Sequence, residues 1–151
     1  MALIHQNLHQ NEDMVGVSSQ TYINDLVGGL SRSYNLNADE ILIETKVDDI
    51  SMEIDRIIPI GLILNELVSN ALKYAFTENQ SGVIKIGFEK KSDGLLLTVE
   101  DNGKGLPKGF KLEDLKSLGF RIVSSFTRKL KGQIEFPNIQ QGTKVVVTIP
   151  T

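Results

Sequence analysis

At 151 residues, with a net charge of −3 and an isoelectric point near 5.4, the chain has room for one domain. A chain of that size buries roughly two-thirds of its unfolded surface and holds a real core. It contains no cysteine, which excludes disulfide staples, thiolate metal sites and cysteine chemistry and mildly favours a cytosolic address. The lysines are dispersed, arguing against a nucleic-acid surface, and no apolar run reaches the length of a membrane span. The opening MALIHQNLHQ lacks the basic start and long apolar stretch of a signal peptide, so the sequence predicts a soluble, cytoplasmic chain with no membrane contact of its own.

Residues 1–14 read as a helical segment distinct from the rest of the chain. From 19 to 34, Tyr22, Ile23, Leu26, Val27, Leu30 and Tyr34 recur at helical spacing, with Ser18 or Ser19 as the cap. ILIETKV at 41–47 predicts a strand and SMEI at 51–54 a shorter one. Asp55 then reads as the N-cap of a long helix reaching about residue 76, with Pro59 tolerated in its first turn. Strands at 83–89 and 95–100, separated by Lys91-Ser92-Asp93-Gly94, form an expected hairpin that runs into DNGKGLPKGF. Residues 112–117 are short and polar. A third helix is expected from Leu118 to Leu130, stopping near Gly132, and two last strands at 132–136 and 144–149 are joined by turn residues. No repeat or low-complexity tract interrupts this order. It predicts an α+β fold, a two-layer sandwich in which three helices cover one face of a mixed, mostly antiparallel sheet.

Two stretches ask for more than structure. The long helix is apolar, yet Glu66, Asn70 and Lys73 recur at i, i+4, i+7 and place a carboxylate, a carboxamide and an ammonium on one face. A solvated face explains that trio as well as a site does. In the second reading the carboxamide oxygen is a hard ligand for Mg²⁺, the lysine balances phosphate charge and the glutamate orients or deprotonates a reacting group. DNGKG is likewise either turn chemistry, since glycine accepts positive φ and Asx side chains bond their own backbone, or a site. His5 and His9 stand at i, i+4 but have no third ligand type near them, so they read as plain polar helix positions. Gly103-Lys104-Gly105 follows a strand without opening a helix, which argues against dinucleotide binding, and no phosphate-loop signature occurs.

Taken in order, NELVSNALKYA, DNGKGL, SLGFRIV and GTKVVVTI resemble the ATP-binding catalytic domain of sensor histidine kinases. These kinases belong to the GHKL ATPase superfamily, which also includes DNA gyrase and a heat-shock chaperone. The chain looks most like the subgroup whose helix motif reads LNELVSNALKYAF. The resemblance covers most of the chain and implies a sandwich of the Bergerat type binding ATP and Mg²⁺. It implies that Asp101 accepts a hydrogen bond from the adenine amine and that Gly103 and Gly105 let backbone approach the base. Thr143 would support adenine, commonly through water. Asn70 matches the magnesium-binding asparagine, and Lys73 and Tyr74 match a pair lining the phosphate side. Glu66 falls where gyrase-like relatives carry a catalytic glutamate, as general base or orienter. Leu106 would lead into the ATP lid. Leu118 and Gly119 would start the third helix at the triphosphate, where free N–H groups favour anions.

The chain departs from the family in one glycine motif, of which only Gly119 remains, and in a short lid span from 106 to 117. Fewer backbone contacts to phosphate predict modest ATP affinity. Dissociation constants for ATP and ADP check this, and nanomolar ATP binding would contradict it. Neither histidine fits the family's acceptor motif, so residues 1–14 read as the tail of a phosphoacceptor hairpin and 15–151 as the ATP-binding domain. The resemblance implies transfer of the γ-phosphoryl to a histidine on a separate hairpin, of the same or a partner subunit, with a response regulator downstream. It also implies a homodimeric full-length protein, in which a membrane anchor would lie outside this sequence. A protein-serine kinase of the anti-sigma type and an ATP-sensing domain without transfer are the alternatives.

Overall fold

The computed structural model describes residues 16–34, 41–76, 81–105 and 118–150, the side chains of Tyr74 and Leu118 excepted. The elements run β1 (Val17–Ser18), α1 (Ser19–Ser33), β2 (Ile41–Val47), β3 (Ser51–Met52) and α2 (Ile54–Asn70). A single wide π-type turn (Ala71–Ala75) comes next, then β4 (Gly82–Lys91), β5 (Gly94–Asp101), α3 (Leu118–Lys129), β6 (Gln133–Glu135) and β7 (Thr143–Pro150). The helical segment expected over 1–14, the lid and Leu106 lie outside the described residues.

Period-two alternation makes the sheet one-sided. Ile84, Ile86 and Phe88 of β4, Leu95, Leu97 and Val99 of β5, and Val145, Val147 and Ile149 of β7 are all buried. Antiparallel register lines them up in rows, Phe88 opposite Leu97 and Leu97 opposite Val147. The strand order is β2-β4-β5-β7-β6, with β2 parallel to β4 and the other pairs antiparallel. This is the mixed, mostly antiparallel sheet that the sequence predicts. The other face carries Glu44, Lys85, Glu100 and Lys144 in register across four strands, so charges alternate in sign from strand to strand. The Lys144–Glu100 pair closes to 3.7 Å. Partly exposed cross-strand pairs of this kind contribute roughly 0.2–1 kcal/mol each.

Helix α2 is the centre of the apolar layer, with Ile57, Ile60, Ile63, Leu64 and Val68 fully buried and both α1 and α3 packed against it. None of the described helices is long and apolar enough to cross a membrane. Ser18 caps α1, its hydroxyl accepting from the Thr21 N–H at 3.2 Å. Ser19 is 0% exposed yet satisfied, donating to the Asp48 carbonyl at 2.7 Å and accepting from the Ile50 N–H at 2.8 Å. This ties α1 to the connection between β2 and β3; β3, within the strand expected at 51–54, pairs with β1, Val17 opposite Met52, a partner the sequence reading did not foresee.

The start of α2 differs from expectation. Glu53, not Asp55, occupies the N-cap position and makes no side-chain cap bond. Because β3 runs almost directly into the helix, Asp55 falls inside the first turn, where its charge still favours the helix N-terminus. Pro59 consequently sits in the second turn, where it removes one intrahelical bond. The far end also differs, since regular α geometry stops at Asn70.

Two changes in this layer have measurable consequences. A Cβ on Gly61 would stand 2.5 Å from Cε1 and 2.8 Å from Oη of buried Tyr22. Gly61→Ala is expected to destabilise the domain by about 1–3 kcal/mol, outweighing the roughly 1 kcal/mol that alanine gains in a helix. On α1, the nearest atom to a Cβ on Gly28 is an arginine nitrogen at 3.4 Å, so Gly28→Ala is the control and should leave urea midpoints equal or raised. Thr127 of α3 is 4% exposed, and among the described residues its hydroxyl finds no hydrogen-bond partner. Thr127→Val keeps the shape and removes the orphan, so it should stabilise by about 1 kcal/mol in the same measurement.

Candidate functional site

Asp101 closes β5 on its buried, helix-facing side, opposite Ile84 of β4 and Thr143 of β7. It is 6% exposed. Its Oδ1 accepts from the Gly103 N–H at 2.9 Å and from the Thr143 N–H at 3.3 Å. The fold thus fixes Oδ1, while among the described residues Oδ2 has no hydrogen-bond partner. Burial pushes the Asp101 carboxyl above the usual carboxylate range, the two N–H bonds oppose the shift, and neighbouring Glu100 adds to it.

Glycine is required around this carboxylate. Gly142 has φ +88°, and a Cβ there would run into the Asp101 carbonyl. Gly105 has φ +77° and lies so close to Gly142 that a Cβ would be 2.9 Å from its carbonyl oxygen. Gly103 packs on the π-type turn, where a side chain would strike the Ala75 carbonyl. That same carbonyl accepts from the Lys104 N–H at 2.9 Å. The bond joins the glycine loop to the end of α2.

The end of α2 carries the second half of the expected site. Asn70 is its last residue and is half-buried, as is Glu66 one turn earlier. Lys73 is exposed and, with the Tyr74 backbone, lies in the wide turn. The spacing argument that put Lys73 on one face with Glu66 and Asn70 assumes a uniform helix. The turn widens just after Asn70, so each residue advances less around the axis and Lys73 leaves that face. Leu118 and Gly119 are the first two residues of α3. The structure therefore brings Asp101, Gly103, Gly105 and Thr143 into one cluster and fastens it to the segment following Asn70. Among the described residues no three acidic or histidine side chains converge to hold a metal by themselves.

Residues 55–151 match the family described as histidine kinase-, DNA gyrase B-, and HSP90-like ATPase. The chain belongs to this ATPase family. It is 27% identical over 154 residues to blue-light-activated histidine kinase 2 of Erythrobacter litoralis, spanning 96% of this chain and 44% of that protein. It is 29% identical over 156 residues to the sensor histidine kinase PdtaS of Mycobacterium tuberculosis, spanning 99% of this chain and 30% of that one. The solved structure of the EL346 blue-light activated histidine kinase of Erythrobacter litoralis superposes with a TM-score of 0.86 at 26% identity, covering 98% of this chain and 45% of that chain. The chain thus spans less than half the length of each of these relatives.

Membership in the ATPase family accords with the α+β sandwich and with ATP as the nucleotide. Of the residues that shape the cluster, the sequence reading takes Asn102 and Gln141 only as turn residues, Ala75 only as part of the long apolar helix, and Gly142 only as the first residue of GTKVVVTI. Ala75 contributes only a carbonyl, which no residue type announces.

Proposed function

We propose that this chain is the ATP-binding catalytic domain of a sensor histidine kinase and transfers the γ-phosphoryl of ATP to a histidine on a separate acceptor helix. The observation that carries this reading is the buried Asp101 carboxylate, one oxygen held by two backbone N–H groups and the other left to a ligand. An ionised carboxylate accepts from the adenine amine and would oppose a carbonyl oxygen, so it selects adenine over guanine. Gly103 and Gly105 give the base a floor without side chains, and Thr143 extends the polar edge from β7. Leu106 would continue the loop into the lid.

On the phosphate side, Asn70 offers a neutral oxygen for Mg²⁺. The residues fit that ion, which keeps several waters and takes one or two protein oxygens together with phosphates. When bound, it would offset phosphate charge. Lys73, exposed on the wide turn, would approach the phosphates, Tyr74 would line the pocket, and Leu118 and Gly119 would present the free N–H groups of the α3 N-terminus. Glu66 orients the reacting imidazole or takes its proton. The imidazole nitrogen attacks the γ-phosphorus in line, the bond to the bridging oxygen breaks, and ADP leaves. In the whole protein the domain would work in the cytoplasm, within a homodimer that passes its phosphoryl group to a response regulator.

Incubating the chain with γ-labelled ATP and a separately made acceptor hairpin tests the proposal. Acid-labile label on the hairpin histidine is the expected result. Acid-stable phosphoserine on a protein partner would point to the anti-sigma type, and binding without any transfer would point to a nucleotide sensor.

A further inference from the structure

Asn102 follows the adenine-selecting aspartate, and its side chain turns away from the glycine cluster. Its Oδ1 accepts from the Val83 N–H at 2.8 Å, while its own N–H donates to the Val83 carbonyl at 3.3 Å. On the other side its carbonyl accepts from the Gln141 side-chain amide at 3.1 Å. Regular pairing of β5 ends one residue earlier, at Asp101, on both the β4 and the β7 side. The Asn102 and Gln141 side chains therefore take over where the two ladders stop.

We infer that Asn102 and Gln141 form a latch that holds the end of β5 in place and so aims the Asp101 carboxylate at the base. Both are exposed and lie on turns, so neither contributes much apolar burial. What they supply is direction. The Asp101 Oδ1 bonds depend on Gly103 and Thr143 standing in fixed positions; Gly103 follows Asn102 directly and Thr143 lies two residues after Gln141. Without the Asn102 side-chain bond to Val83, only the longer backbone bond to the Val83 carbonyl holds the peptide after Asp101, and the turn into Gly103 loosens. The carboxylate then loses its bond to Gly103 and with it the fixed outlook of Oδ2. The same amide group leaves the adenine face free, since it is spent on β4. Asn102 and Gln141 are thus positioning residues for nucleotide choice, and this inference rests on the assignment of Asp101 to adenine.

The test measures ATP and GTP dissociation constants and melting temperatures of the 151-residue chain and its variants. Asn102→Ala is expected to weaken ATP binding about tenfold and to narrow the ATP-over-GTP preference by a similar factor, as the loss of one hydrogen bond's positioning implies, with the melting temperature little changed. Asn102→Asp keeps the acceptor for Val83 and should restore both affinity and preference. Gln141→Ala should narrow the preference in the same direction, and it carries the test alone if Asn102→Ala does not fold. Equal loss of ATP and GTP binding, an unchanged preference, or no rescue by aspartate would each overturn the latch. Asp101→Asn separates the two levels. If it abolishes ATP binding while the latch variants keep their selectivity, only the latch fails; if it leaves ATP binding intact, the adenine assignment fails with it.

Discussion

An Asp101→Asn variant is expected to fold and to lose its ATP. The oxygen of the new amide must stay on the Gly103 and Thr143 N–H groups, because its amine there would face two donors. The amine therefore takes the place of Oδ2, donor against the donor of adenine. Losing a charge-assisted bond and leaving a buried donor unpaired together cost roughly 3–5 kcal/mol, a hundredfold to a few thousandfold in affinity. Calorimetric titration reads this directly, and an affinity within a few fold of the parent would remove Asp101 from the adenine edge. At neutral pH the melting temperature should be equal or higher, since a buried carboxylate whose pKa lies above its unfolded value costs stability once it is ionised. The pH dependence has a definite sign. The ionised form accepts from adenine, so affinity is full above the raised pKa and declines as pH falls through it, beginning higher than an ordinary carboxylate would allow. Over the same interval, protonation relieves the cost of the buried charge. Acid thus weakens nucleotide binding by the parent chain without a matching loss of folding stability from this residue.

The second large effect is expected from Asn70→Ala. With no acidic cluster among the described residues, a magnesium ion would have this amide oxygen as its protein ligand and phosphates for much of the rest. Alanine is an excellent helix former and the position is only half-buried, so α2 persists. Phosphoryl transfer should fall by roughly a hundredfold or more, the scale seen when a single preorganised electrostatic contact is removed. Titrations with and without a chelator isolate the cause. Parent and variant should bind ATP alike in the chelator, and only the parent should gain from magnesium. If the variant gains equally, Asn70 is not the ligand.

The strands were legible because one-sided burial leaves a period of two, and ILIETKV at 41–47 became β2 residue for residue. The short strand at 51–54 was also legible, as β3, but its partner β1 was not, since the two residues Val17 and Ser18 are too few to show any period. The widened turn after Asn70 escaped for a different reason. Apolar spacing reports which side of a helix is buried, and Ala71 and Ala75 are buried in either helical geometry. At the candidate site, Asp101 and its glycines could be read from turn chemistry and the order of motifs. Asn102 could not be separated from that turn chemistry, because its partner Val83 lies 19 residues away and only pairing of β4 with β5 brings them together.

The position of β7 bears on the order in which the working domain comes into being. It is the last strand in sequence, yet it lies between β5 and β6, and it delivers Gly142 and the Thr143 N–H to an aspartate 42 residues upstream. On a ribosome adding roughly 5–20 residues per second, the Thr143 bond to Asp101 must wait about two to eight seconds after Asp101 is made. Any shortening that removes residues 142–150 would take away the Thr143 bond to Asp101 and the strand between β5 and β6 together.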